Sequence, residues 1–228
     1  MVSWARLRQS VLPRRERDAL FQRYMRAWAK GLLDLFAIEF TIQPQICGAG
    51  GARLVAANHR SPIDVALLLH HFGGCCVSRA DLAGWPILGH AARRADTIFV
   101  DREDRTSGAR AIRTIRERLR QGRTVIVFPE GGTFRGDEVR PFQPGVFAAA
   151  RGLQVEVVPV GVAYQAGSEF VDESFVQHVL RIARRRGTRV ALRIGTPSMA
   201  RGSSDALARR LRAEVQDLVS EARQVCDR

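Results

Sequence analysis

At 228 residues, 46% of them hydrophobic and 26% charged, the chain has the size and balance of one globular domain with a short appendage, which excludes a disordered or collagen-like protein. Thirty-six basic residues against 23 acidic ones give a net charge of +13, and this calls for an anionic partner: a membrane surface, nucleic acid or a phosphorylated substrate. No run reaches about 18 uncharged apolar residues, so no ordinary membrane span is expected.

The N-terminus, with Arg6, Arg8, Arg14, Arg15 and Arg17, lacks a secretory pattern. Residues 16–37 carry a helix-period stripe of Leu20, Phe21, Tyr24, Met25, Trp28, Leu32, Leu35 and Phe36, with Arg17, Arg23, Arg26 and Lys30 mostly off it. Such a stripe fits a helix packed on the domain, and it equally fits a helix lying in a membrane interface with cations at the headgroups. Ile38, Phe40 and Ile42 alternate as in a half-exposed strand, and the glycine cluster at 48–51 marks a turn. A short apolar strand follows at 54–57, then a loop and a helix from Pro62 to about His71. Another strand is expected near 97–100, followed by a helix capped by Ser107, with Ala109, Ile112, Ile115 and Leu119 on one face and Gly122 at its end. Strands at 124–128, 155–160 and 190–194 precede a closing helix lined by Leu207, Leu211, Val215, Leu218 and Ala222. This alternation predicts an α/β fold, a three-layer sandwich around a mostly parallel mixed sheet. We divide the chain into residues 1–45, the amphipathic helix with its lead-in strand, and residues 46–228, the main domain. Cys47, Cys75, Cys76 and Cys226 form no C-x-x-C motif, which points to a reducing compartment.

Three loops after apolar strands carry reactive or anion-binding groups. His59 follows the strand at 54–57, and Asp64 lies five residues on. A carboxylate there can accept the Nδ1 proton of the imidazole and leave Nε2 as a general base. Ser61 and Asp64 also have the spacing of a capping box with Pro62 at the first helical position, a purely structural reading. Arg102 follows a strand and suits a phosphate. The run from Glu130 through Gly131, Gly132 and Thr133 to Arg135 offers glycines for close backbone approach and amides for an anion. His70 and His71 are adjacent and make a poor chelate; His90 and His178 read as surface or packing residues. Neither a metal nor a cofactor is expected. Residues 181–193 hold six arginines and no carboxylate, which reads first as a solvated face and next as a patch for anionic lipid or a carrier protein. A basic nucleic-acid-binding protein is the reading from a different class, although no recognisable module and only two tyrosines support it.

In order and spacing these blocks resemble the glycerolipid acyltransferase family, which has N-H-x-x-x-x-D, F-x-x-R, V-x-F-P-E-G-T-R and V-P-V-G. The corresponding residues are 58–64, 99–102, 125–133 and 158–161. The resemblance implies transfer of an acyl group from acyl-CoA or acyl-carrier protein to a lysophospholipid hydroxyl, with His59 as base, Asp64 as its orienter and no metal. It also implies a substrate-binding set of Asn58, Arg102, Glu130, Gly131, Gly132, Thr133 and Arg135. The expected acceptor is 1-acyl-glycerol-3-phosphate, with a lyso-ornithine lipid as the alternative. The expected location is the cytoplasmic face of an anionic membrane, held peripherally or monotopically. One departure stands out: where the family has Thr then Arg after the Glu-Gly pair, this chain has Gly132 and Thr133, with Arg135 two positions later. Either Arg135 substitutes, or the acceptor head differs from a simple phosphate.

Overall fold

Short apolar strands that lack a polar face need cover on both sides, and helices supply it. In the computed structural model, the described residues are 13–43, 52–85, 88–101 and 103–227. The elements in order are α1 (Arg14–Leu35), β1 (Ile38–Gln43), β2 (Arg53–Ala57), α2 (Pro62–Phe72), β3 (Cys75–Arg79), α3 (Leu88–Arg94), β4 (Ile98–Val100), α4 (Arg105–Arg120), β5 (Thr124–Val127), β6 (Glu156–Tyr164), α5 (Phe175–Ala183), β7 (Thr188–Ile194), β8 (Ser198–Met199) and α6 (Ser204–Cys226), with short 3-10 turns at Ala80–Gly84 and Pro144–Ala149. The strands form one sheet in the order β1-β7-β6-β2-β5-β3-β4, and β8 continues alongside β6. Five strands run parallel, while β7 is antiparallel to β6 and carries β1 parallel to itself. The expected three-layer α/β sandwich is therefore the observed fold.

Alternation along β2 sends Leu54 and Ala56 to one core, shared with Ile115 and Leu119 of α4 and Leu211 and Val215 of α6. Val55 and Ala57 join the other core, with α2, Leu33 of α1 and Ile182 of α5. Gly161 lies where α6 crosses β6: a Cβ there would stand 2.5 Å from the Leu218 carbonyl carbon and the Val219 nitrogen. The glycine of the V-P-V-G block thus permits the close helix–sheet contact. Cys75 and Cys76 are buried in β3, and burial pushes the Cys75 thiol up to about 11 and that of Cys76 higher still.

Several expectations need correction. The helix at 105–120 is capped by Asp104, whose side chain accepts from the Thr106 amide; Ser107 instead accepts from the Asp101 amide at 2.9 Å. An earlier carboxylate reaches the free amides of the first turn, so the serine is left to close the preceding loop. β6 extends four residues beyond the expected strand, to Tyr164. The single stripe expected of the first helix divides in two. Met25 is buried in the core together with Ala29 and Leu33, while Tyr24, Trp28 and Leu35 are 66%, 41% and 74% exposed. The packed face is fixed by contacts at the far end of α2, where Arg26 donates to the carbonyls of His71 (2.6 Å) and Phe72 (2.8 Å). The turn at 48–51, Cys47, Arg102 and the boundary between residues 45 and 46 lie outside the described residues.

Candidate active site

Parallel neighbours run the same way, so the loops after β6, β2 and β5 leave from the same edge of the sheet. Asn58 leaves β2 with its carboxamide clamped to β6: Nδ2 donates to the Val162 carbonyl at 2.9 Å, and Oδ1 accepts from the Val162 amide at 2.7 Å. Both groups are thereby taken up in a buried ring, so Asn58 ties two strands together at the root of the site.

His59 and Asp64 meet. His59 Nδ1 lies 2.8 Å from Asp64 Oδ2, which also accepts from the amides of Arg60 (2.7 Å) and Ser61 (2.9 Å). The second carboxylate oxygen, Oδ1, accepts from the Tyr164 hydroxyl at 2.6 Å. The capping box of α2 is present as well, with Ser61 Oγ accepting from the Ile63 amide. The structural and chemical readings of Asp64 are therefore one arrangement: the carboxylate that closes the helix also accepts the imidazole proton. With Nδ1 as donor, Nε2 is the ring nitrogen left to act as a base. The ring stacks on Phe128, their centroids 4.0 Å apart, and the side chain is 19% exposed.

Glu130 lies beneath this loop. Its carboxylate, fully buried, accepts from the His59 amide (2.6 Å), the Arg140 amide (2.8 Å) and Arg60 Nη1 (2.9 Å). Arg60 is itself buried, and its remaining donors go to the carbonyls of His59, Gly136 and Glu138. A buried, hydrogen-bonded ion pair thus joins the His59 loop to the Glu130 loop, and both carboxylate oxygens of Glu130 are engaged within the protein. Gly131 takes φ +80°, which turns the chain back so that its amide donates to the Phe128 carbonyl. Gly132 faces the Phe134 ring. Thr133 donates to the Phe170 carbonyl at 2.6 Å, and the Phe170 amide donates to the Arg60 carbonyl at 2.7 Å, so the backbone of Phe170 bridges the Glu130 and His59 loops. At the rim, Arg135 and Asp172 pair at 3.3 Å, 68% and 79% exposed.

Sequence reasoning left three residues out of the site. Tyr164 lies 100 positions from its partner Asp64. Arg60 is one arginine among many. His178, read as surface or packing, is buried with Nε2 3.0 Å from Ser61 Oγ and Nδ1 2.8 Å from Glu173. Burial lowers the His178 pKa despite the opposing pull of Glu173; hydrogen bonds from Arg181 hold Glu173 down to about 2. Arg181, part of the arginine run, is thereby committed to Glu173 and the Glu169 carbonyl rather than to a solvated face.

A family model described as Acyltransferase matches residues 38–163, from β1 nearly to the end of β6. The lyso-ornithine lipid O-acyltransferase of Pseudomonas aeruginosa is 29% identical over 225 residues, covering 95% of this chain and 85% of that protein. The 1-acyl-sn-glycerol-3-phosphate acyltransferase of Helicobacter pylori is 32% identical over 113 residues, 48% of each chain. The crystal structure of the 1-acyl-sn-glycerophosphate (LPA) acyltransferase from Thermotoga maritima is similar with a TM-score of 0.74 at 22% identity, covering 99% of this chain and 88% of that one, a likeness of fold.

Proposed function

Because this chain belongs to the glycerolipid acyltransferase family, we propose that it moves a fatty acyl group from acyl-CoA or acyl-carrier protein to the hydroxyl of a lyso-ornithine lipid. His59 Nε2 takes the hydroxyl proton as the oxygen attacks the thioester carbonyl. The ester C–O bond forms, the C–S bond breaks, and the imidazolium returns the proton to the leaving thiolate. Asp64 holds the ring in the required tautomer and steadies its positive charge.

The acceptor assignment rests on the rim pair of Arg135 and Asp172. A cation and an anion side by side complement a zwitterionic head, the ornithine carboxylate meeting Arg135 and its ammonium meeting Asp172. Of this pair, a phosphate monoester finds only Arg135 favourable, with Asp172 repelling it. The nearly full-length similarity to the Pseudomonas aeruginosa protein agrees with this choice. Lysophosphatidic acid is the second reading, favoured by the Helicobacter pylori relative and by the forked geometry with which Arg135 can grip phosphate. The discriminating measurement is kcat/KM of Arg135→Ala and Asp172→Asn on both acceptors. On the ornithine reading each substitution costs about 10- to 100-fold with the lyso-ornithine lipid, as expected for a lost charge-assisted contact. An Asp172→Asn enzyme unchanged on that lipid, together with an Arg135→Ala loss confined to lysophosphatidic acid, assigns the phosphate acceptor instead.

Attachment to the cytoplasmic face of an anionic membrane belongs to the same reading. No helix among the described residues is long and apolar enough to cross a bilayer. Tyr24, Trp28 and Leu35 instead present an apolar stripe on α1. The end of that helix lies beside a cationic segment: the Thr188 amide donates to the Ala37 carbonyl, and Arg184, Arg186 and Arg189 are exposed around it. Headgroup cations beside interfacial aromatics suit an anionic surface. Replacing Tyr24, Trp28 and Leu35 with Asp should weaken binding to phosphatidylglycerol-containing vesicles by about 100-fold or more, from lost apolar burial alone. Equal cosedimentation of variant and parent would remove α1 from the membrane contact.

A further inference from the structure

We propose that Tyr164 is a positioning residue of the transfer reaction, acting on His59 through Asp64. Its place is set by the strand: β6 ends at Tyr164, whose side chain is buried and whose hydroxyl donates to Asp64 Oδ1 at 2.6 Å. The other donors, the amides of Arg60 and Ser61 and His59 Nδ1, all converge on Oδ2. Capping α2 therefore occupies one oxygen only, and the helix needs no phenol on the other. Tyr164 fixes the carboxylate plane from the opposite side and draws charge toward Oδ1, away from the oxygen that meets the imidazole.

The neighbouring charges are already committed. Arg60 and Glu130 neutralise each other, His178 is held by Glu173 at 2.8 Å, and from α6 Arg223 pairs with Asp137 while donating to the Tyr164 carbonyl at 2.5 Å. The Cys226 thiol, pushed up by burial, stays uncharged near the phenol. The phenol is accordingly the lever on Asp64 that a single oxygen atom can remove.

The inference rests on the reading of His59 as the base, and the experiment separates the two. In Tyr164→Phe, kcat should fall about 3- to 30-fold with both KM values nearly unchanged. With the phenol gone, Asp64 keeps more charge on Oδ2 and favours the imidazolium, so the acid limb of kcat/KM should move to higher pH by about 0.5–1. Replacing tyrosine throughout with fluorotyrosine, a stronger donor, should move that limb to lower pH in the parent. The same replacement should leave Tyr164→Phe unmoved, since only Tyr24 then carries fluorine. This arm also decides the matter if Tyr164→Phe fails to fold. A stationary limb in the fluorinated parent, with His59→Ala inactive, overturns the role of Tyr164 alone. An active His59→Ala overturns the reading beneath it.

Discussion

His59→Ala is expected to lower kcat by about 10²–10⁴-fold while the protein remains folded, the range that a positioned general base contributes. The imidazole is the only group in the site with an uncommitted nitrogen beside a buried, fully coordinated carboxylate among the described residues. Its removal leaves Asp64 holding the Arg60 and Ser61 amides and the Tyr164 hydroxyl, so the cap of α2 survives. Turnover with acyl-CoA and with acyl-carrier protein, read beside a thermal melt, tests both halves. More than a tenth of the parent turnover would exclude His59 as the base.

Glu130→Ala should be the most damaging substitution to the fold of the site. Arg60 is 2% exposed and cannot regain water when its carboxylate partner is lost. Removing one partner of a buried ion pair costs about 3–5 kcal/mol, which for a domain of this size lowers Tm by roughly 6–20 °C. The amides of His59 and Arg140 lose their acceptor in the same step. The folded fraction should be nearly inactive, since the His59 backbone is then unanchored. A melt within about 1 kcal/mol of the parent would mean that the carbonyls around Arg60 suffice without Glu130.

The sequence made the strand rhythm and the His59–Asp64 pair legible because both are local: a five-residue spacing wraps the pair around one helix N-cap. What it concealed is long-range. Tyr164 and His178 lie 100 and 117 positions from Asp64 and Ser61, and no spacing rule joins such pairs. Glu130 was legible as part of a motif, but its burial beneath the loop was not, because a Glu before a glycine turn reads equally as a ligand or as a brace. β3 and α5 escaped notice for a different reason. Each is short, and Cys75, Cys76 and Val77 carry no periodicity that separates a strand from a buried turn. The division of the α1 stripe depends on which face α2 takes, and only packing decides that.

The strand order has a consequence for the order of synthesis. β2, which carries the site, is flanked by β5 and β6, so both its neighbours emerge from the ribosome long after it does. β1 waits longer still, since its partner β7 is nearly the last strand made. Early contacts are therefore scarce, and loop closure must precede any pairing of the central strands, a topology that folds slowly. Until β5 and β6 emerge, the nascent chain displays an unpaired apolar β2 together with the outward stripe of Tyr24, Trp28 and Leu35 on α1. That interval is when the polypeptide is most exposed to aggregation, and when a bilayer or a chaperone can first take hold of it.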